Sequence, residues 1–265
     1  MPRFAANLST LFTDRPLEAR FAAAAACGFR GVELHFPYTL RPERLGDLVA
    51  MNGLELVVFN APPGDWAAGE RGLAALPGRE EEFQDSIELA LSYTEFTDCG
   101  RLHVMAGVVE DEEQWPQSLE TYAANLGWAA ERCAEEGVAV LVEAINLQDM
   151  PGYFLSRPDD AVQLLEMVDH DNLQIQYDLY HAQIMQGGLT DFLETHLERI
   201  AHVQVAGVPG RAEPDAGGEI NWPYLFNLLD AHGYPGWVGC EYTPRLVTEA
   251  GLRWARDFGI TPPAV

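Results

Sequence analysis

Positive charge is what this 265-residue chain most lacks: 16 Lys and Arg stand against 41 Asp and Glu, a formal net charge of -25. Such a surface repels polyanions, and no basic cluster relieves it, so nucleic acid is not expected as a partner. A small anion is still allowed, because a metal ion and one or two arginines can reverse the sign locally. Cysteine is sparse as well: Cys27, Cys99, Cys133 and Cys240 lie far apart and form no CxxC pair. Reduced, buried thiols fit that spacing better than a disulfide framework or a zinc site. No run approaches the roughly 18 uninterrupted apolar residues of a membrane span. The opening MPRFAANLS has no basic stretch followed by an apolar one, so the expected location is the cytoplasm, with no membrane partner. Low-complexity and linker-like segments are missing too, which predicts one domain over residues 1–265 and leaves assembly into a homo-oligomer open.

What the chain does have is alternation. Hydrophobic residues make up 48% of it, and short apolar runs read as strands at 3–7, 31–36, 54–60, 102–106, 138–145, 173–178, 201–206 and 237–242. Helical spacing fills the intervals: Leu119, Tyr122, Ala123, Leu126, Ala130 and Cys133 form one face, and Phe83, Ile87, Ala90, Leu91 and Thr94 another. Cys27-Gly28 and Glu136-Gly137 punctuate the ends. Eight strands separated by helices predict an α/β fold, a single (β/α)8 TIM barrel. Two connections after strands, 61–79 and 207–219, exceed the usual length of about two to six residues. In a barrel they belong on the face where strands end and active sites are built.

Four polar residues end such strands. Glu143, Asp178, Gln204 and Glu241 are 35, 26 and 37 positions apart, the period of one strand, loop and helix, so parallel strands would bring them together. Along Val-Ala-Val-Leu-Val-Glu-Ala, Glu143 shares the inward face with Ala139 and Leu141; Glu241 points inward and Cys240 outward. Taken singly, each acid has an ordinary explanation as a helix cap or a solvated loop residue. Together they supply only hard oxygen donors, which suits Mg2+ or Mn2+ better than Zn2+ or Cu2+. Glu143 and Glu241 would flank a chelated substrate, the arrangement needed to take a proton from one carbon and return it to the next.

The segments Arg3-Phe-Ala-Ala-Asn-Leu-Ser, Gly64-Asp-Trp-Ala-Ala-Gly-Glu-Arg-Gly, Leu76-Pro-Gly-Arg-Glu-Glu, Gln176-Tyr-Asp-Leu-Tyr-His, Gly218-Glu-Ile-Asn and Gly236-Trp-Val-Gly-Cys-Glu-Tyr resemble the hydroxypyruvate isomerase family of the xylose isomerase-like barrels. The resemblance spans essentially the whole chain in order. It implies interconversion of hydroxypyruvate and tartronate semialdehyde (2-hydroxy-3-oxopropanoate), with Glu143 and Glu241 as the proton-transfer pair. It further implies metal ligation by Glu143, Asp178, Gln204 and Glu241. Where many sugar isomerases and epimerases of the group carry His at the third ligand position, this chain has Gln204. Ala206-Gly-Val-Pro, Phe59-Asn-Ala-Pro and His103-Val-Met-Ala-Gly-Val-Val look more like the related 2-oxotetronate isomerases, which act on a four-carbon acid.

Other polar residues have two readings each. His181 would bond a substrate oxygen in the resemblance, or else support the metal site. Arg211 and Arg71, in the two long loops, are the candidates for the carboxylate of a small anionic 2-oxo acid; the plain alternative is a surface ion pair. His35 and His202 would line the barrel mouth or serve only the structure, and Trp66 would cover the substrate or anchor its loop. The competing functions are a carbohydrate epimerase on the same barrel, a metal-dependent phosphodiesterase, which lacks its histidines and basic face here, and a non-catalytic binding barrel.

Overall fold

Parallel pairing runs from each strand to the next and from the last back to the first, so the sheet closes. The computed structural model describes residues 1–263; the final two residues of the expected 1–265 domain lie outside the described residues. The strands are β1 (Arg3–Asn7), β2 (Gly31–Leu34), β3 (Glu55–Asn60), β4 (Arg101–His103), β5 (Ala139–Glu143), β6 (Leu173–Asp178), β7 (Ile200–Val205) and β8 (Trp237–Cys240). Outside them lie α1 (Leu17–Ala26), α2 (Pro42–Met51), α3 (Glu80–Thr97), α4 (Trp115–Glu135), α5 (Pro158–Val168), α6 (Leu179–Met185), α7 (Leu189–His196), α8 (Trp222–Ala231) and α9 (Thr248–Gly251). The expected (β/α)8 barrel is therefore present. Among the described residues no helix is long and apolar enough to cross a membrane.

Several strands stop earlier than their apolar runs. Beyond His103, Ala106 bridges Gly72 and Val108 bridges Tyr153, both antiparallel, and beyond Glu143 the Ile145 N–H donates to Leu155 O at 3.0 Å. The apolarity of Val104, Met105, Ala106, Ala144 and Ile145 thus serves packing among loops over the barrel end, where all five are buried. Consequently two further long β-to-α connections, 104–114 and 144–157, accompany 61–79 and 206–221. Periodicity within an apolar run cannot distinguish a ladder from a buried loop.

Inside the barrel, Ala5, Val57, Val58, Leu141 and Trp237 form an apolar floor. The inward positions turn polar towards the strand ends, as the two-residue period requires: Leu141 is followed by Glu143, and Trp237 by Gly239 and then Glu241. Cys240 points the other way, into the larger core between barrel and helices. Extra residues in two ladders, Val57 on β3 and Ala201 on β7, shift the register beside Glu33 and His202. Such bulges re-aim side chains near active sites.

Gly239 is required by this packing. A Cβ there would overlap the Glu33 carboxylate, which cannot step aside because His202, Asn7 and Gln204 hold it. Gly239→Ala should therefore lower unfolding free energy by about 1–3 kcal/mol, the cost of overpacking. Urea denaturation measures it, and unchanged stability would show that Glu33 can move.

Candidate active site

Three carboxylates meet at the strand-end mouth. Glu143, Asp178 and Glu241 are 5%, 2% and 6% exposed, and each lies two residues beyond an inward position of β5, β6 or β8, namely Leu141, Gln176 or Gly239. Asp178 Oδ1 accepts the Tyr180 N–H at 2.8 Å and so caps α6, while its Oδ2 has no hydrogen-bond partner among the described residues. Gln176 Nε2 donates to Glu143 Oε2 at 2.9 Å. Gln204 Nε2 donates to Glu241 Oε2 at 2.7 Å and to Glu33 Oε1 at 2.9 Å. Two carboxylates thus fix the amide orientation, and the opposite atom, Oε1, is buried and unpartnered. The four residues expected from their spacing are brought together.

Burial and mutual repulsion set the charges. Burial first, then Glu241 and Asp178, pushes the Glu143 carboxyl well above its ordinary range. Burial likewise raises Asp178, to about 7, against the pull of Arg211. Burial would also raise Glu241, but His35 and Arg211 together hold it well below the usual carboxylate range. Neighbouring carboxylates thus favour different protonation states, which is how environment sorts acids from bases.

The chain contains no lysine, so arginine and histidine supply every side-chain cation. Arg211 Nη2 contacts Glu241 Oε1, lies 3.3 Å from His181 Nε2 and 3.8 Å from Asp178 Oδ2. Its guanidinium also stands over the Tyr180 ring, and its backbone takes a left-handed φ of 51°, a conformation non-glycine residues adopt sparingly and often at functional sites. His35 Nε2 is 3.3 Å from Glu241 Oε1. Arg71 lies 3.8 Å over the Trp66 ring and donates to the Trp66 and Glu70 carbonyls. Both arginines, His35 and Trp66 line one cavity of about 290 Å3 with Glu143, His181 and Glu241. That is at the small end of the roughly 300–1,000 Å3 typical of ligand pockets, room enough for a small acid.

Glu143, Asp178 and His181 each place a ligand-type atom within 4.8 Å of the others. The His181 tautomer nevertheless opposes direct ligation. Its Nδ1 faces the Asn146 amide nitrogen at 2.6 Å and the Asn146 backbone N–H at 3.3 Å, so Nδ1 accepts and the hydrogen is on Nε2, which makes the 3.3 Å approach of the donor-only Arg211 Nη2 a contact and not a hydrogen bond. That N–H stands 3.7 Å from Glu143 Oε1 and 3.6 Å from Asp178 Oδ2, beyond hydrogen-bond reach of either. The unpartnered Asp178 Oδ2 and Gln204 Oε1, beside two further carboxylates, make an all-oxygen donor set that fits a hard divalent cation.

Several site residues escaped the sequence reading. Glu33 accepts from Asn7 Nδ2 and Gln204 Nε2, both at 2.9 Å, and its Oε2 is 2.6 Å from His202 Nε2. His202 therefore belongs to this interior network, while His35 lines the cavity. Asn60, His103 and Gln176 line the cavity too, and burial pushes the His103 imidazole down to about 3, keeping it neutral. Glu33 carried a usable signal, an acid between Val32 and Leu34 in a strand; Asn60, His103 and Gln176 fall within segments that carry the resemblance, but no local pattern gave them a role.

A family model described as the xylose isomerase-like TIM barrel matches residues 21–258. The chain belongs to that family. It is 50% identical over 258 residues to the 2-oxo-tetronate isomerase of Cupriavidus necator, covering 97% of this chain and 99% of that protein. To the hydroxypyruvate isomerase of Escherichia coli it is 45% identical, covering 97% and 100%. Relatives of this kind make this family member an isomerase. A crystal structure from Brucella melitensis, described as an AP endonuclease of family 2, superposes with a TM-score of 0.95 at 49% identity over 97% of this chain and 99% of that one. The 3-keto-D-glucoside 4-epimerase of E. coli, at 19% identity and a TM-score of 0.80, shares 97% of this chain and 99% of its own as fold alone.

Arg211 was expected on a loop outside the core, where its loss would raise KM strongly and preserve the fold. Its contacts with Glu241 and Asp178 give it a second effect, because its charge helps to keep Glu241 ionised. Arg211→Ala should lower kcat as well as raise KM, with kcat/KM down on the order of 10²-fold. Steady-state kinetics would detect this; a change in KM alone would separate the arginine from the glutamate's ionisation.

Proposed function

We propose that the chain isomerises short 2-oxo acids that carry a hydroxyl on the neighbouring carbon, with hydroxypyruvate to tartronate semialdehyde as the three-carbon case and 2-oxotetronate as the four-carbon one. The observation that carries the reading is the pair Glu143 and Glu241, on β5 and just past β8, facing one cavity with opposite shifts in proton affinity. In one direction Glu241, kept ionised beside His35 and Arg211, removes the proton from C3. The C–H electron pair becomes the C2–C3 double bond of an enediolate, and Glu143 delivers a proton to C2 as the O3 hydrogen passes to O2. The reverse direction exchanges the two roles.

Glu143, Asp178, Gln204 and Glu241 would hold a divalent cation, Mg2+ or Mn2+ from the oxygen donor set. A cation there would polarise the substrate carbonyl and hydroxyl, stabilise enediolate charge and lower the raised proton affinities of Glu143 and Asp178. His181 would donate its Nε2–H to a substrate oxygen. Arg211 and Arg71 would take the carboxylate, with Trp66 covering the site. Four free, buried cysteines support action in the reducing cytoplasm. An endonuclease must hold a polyanion, and a net charge of -25 with no basic cluster argues against that second reading.

Turnover of hydroxypyruvate and of 2-oxotetronate, with and without chelator, tests the proposal: activity should vanish on chelation and return with Mg2+ or Mn2+. Glu241→Gln should reduce kcat by about 10²–10⁴-fold, and near-full turnover in that variant would end the two-glutamate mechanism. Cation affinity should depend on pH. A carboxyl raised to about 7 must lose its proton to ligate, so affinity should fall roughly tenfold per unit below pH 7 for the Asp178 proton alone and level off above it. Calorimetric titration checks this, and a flat profile from pH 5 to 8 would contradict it.

A further inference from the structure

His103 has no role in the reaction as drawn, yet its ring is unusually constrained. It ends β4, is 1% exposed and lines the cavity. Nδ1 faces Asn60 Oδ1 at 3.0 Å. An amide oxygen only accepts, so Nδ1 carries the hydrogen and Nε2 the lone pair. That Nε2 finds no hydrogen-bond partner among the described residues. Glu143 Oε2 lies 3.6 Å away, but it is beyond hydrogen-bond reach and already accepts from Gln176. A buried acceptor left without a donor is costly, and the residue that carries it lines the cavity.

The proton-transfer glutamates, Asp178 and Gln204 are carried on β5 to β8, whereas Asn60 and His103 end the neighbouring strands β3 and β4. Whatever part of the substrate reaches that side must bring a hydrogen. A carboxylate cannot, and it would face both the bare nitrogen and Glu143; an alcohol can. We propose that His103, held in this tautomer by Asn60, determines specificity by accepting a hydrogen bond from a substrate hydroxyl beyond the two reacting carbons. The inference rests on the isomerase reading above. A four-carbon 2-oxo acid has such a hydroxyl on its terminal carbon. A three-carbon acid ends at a reacting carbon whose oxygen is already engaged in the chemistry.

The test compares kcat/KM for 2-oxotetronate with kcat/KM for hydroxypyruvate in wild type, His103→Leu and His103→Gln. The ratio of the two should fall at least about tenfold in His103→Leu, the effect of removing a hydrogen-bonding partner in a buried site. It should recover in part in His103→Gln, whose side-chain oxygen restores an acceptor. A fall by the same factor for both substrates, or no fall, would overturn the proposal. If His103→Leu does not fold, the wild-type protein with ¹⁵N-labelled histidine carries the test. The Nε2 resonance, assigned by its loss in His103→Gln, should be unprotonated and should move with erythronate but not with glycerate. A protonated Nε2, or the same movement with both acids, would reject the proposal. Absence of turnover of either substrate by wild type would instead remove the isomerase reading itself.

Discussion

Three buried carboxylates at one end of a barrel set the terms for the rest of the site. Removing even one ionised carboxylate from water costs several kcal/mol unless charge and hydrogen bonds compensate it. Here Arg211 reaches Glu241 and Asp178, His35 stands beside Glu241, Gln176 bonds Glu143, and Gln204 bonds Glu241. Compensation remains incomplete, as the raised proton affinities of Glu143 and Asp178 and the unpartnered Asp178 Oδ2 show. A further positive centre is what the donor set calls for, and the proposed hard cation would supply it without a lysine.

Beneath the mouth, Glu33 extends this organisation into the barrel. It joins Asn7 on β1, His202 and Gln204 on β7, and the Glu241 side through the two amides they share. Its effect on chemistry is indirect: by accepting from Gln204 Nε2 it turns Gln204 Oε1 away from itself. The glycine at 239 and the register shifts at Val57 and Ala201 are the backbone's side of the same arrangement. Packing and chemistry are therefore coupled through one buried side chain.

The barrel and the four strand-end residues were legible because both depend on periods. A repeat of strand, loop and helix places successive strand ends on one face, and alternation decides whether a residue such as Cys240 or Glu241 points inward. The extents of β4 and β5 were not legible, since buried loop residues such as Met105 and Ile145 are as apolar as ladder residues. Arg211 was recognisable as a loop arginine, but its reach into the carboxylates depends on the fold of 206–221. The pairing of Asn60 with His103, and of Asn146 with His181, joins residues 43 and 35 positions apart. Neither pair has a local pattern, and both fix a tautomer that only the assembled site reveals.

The central claim is that Glu143, Asp178, Gln204 and Glu241 together hold one divalent cation. Anomalous diffraction from crystals grown with Mn2+ tests it most directly. The account predicts a single strong peak at the strand-end mouth, roughly 2.0–2.6 Å from an oxygen of each of the four side chains, with His181 Nε2 outside coordination distance. A peak ligated by His181 with Gln204 turned away, or no peak among the three carboxylates, would contradict it.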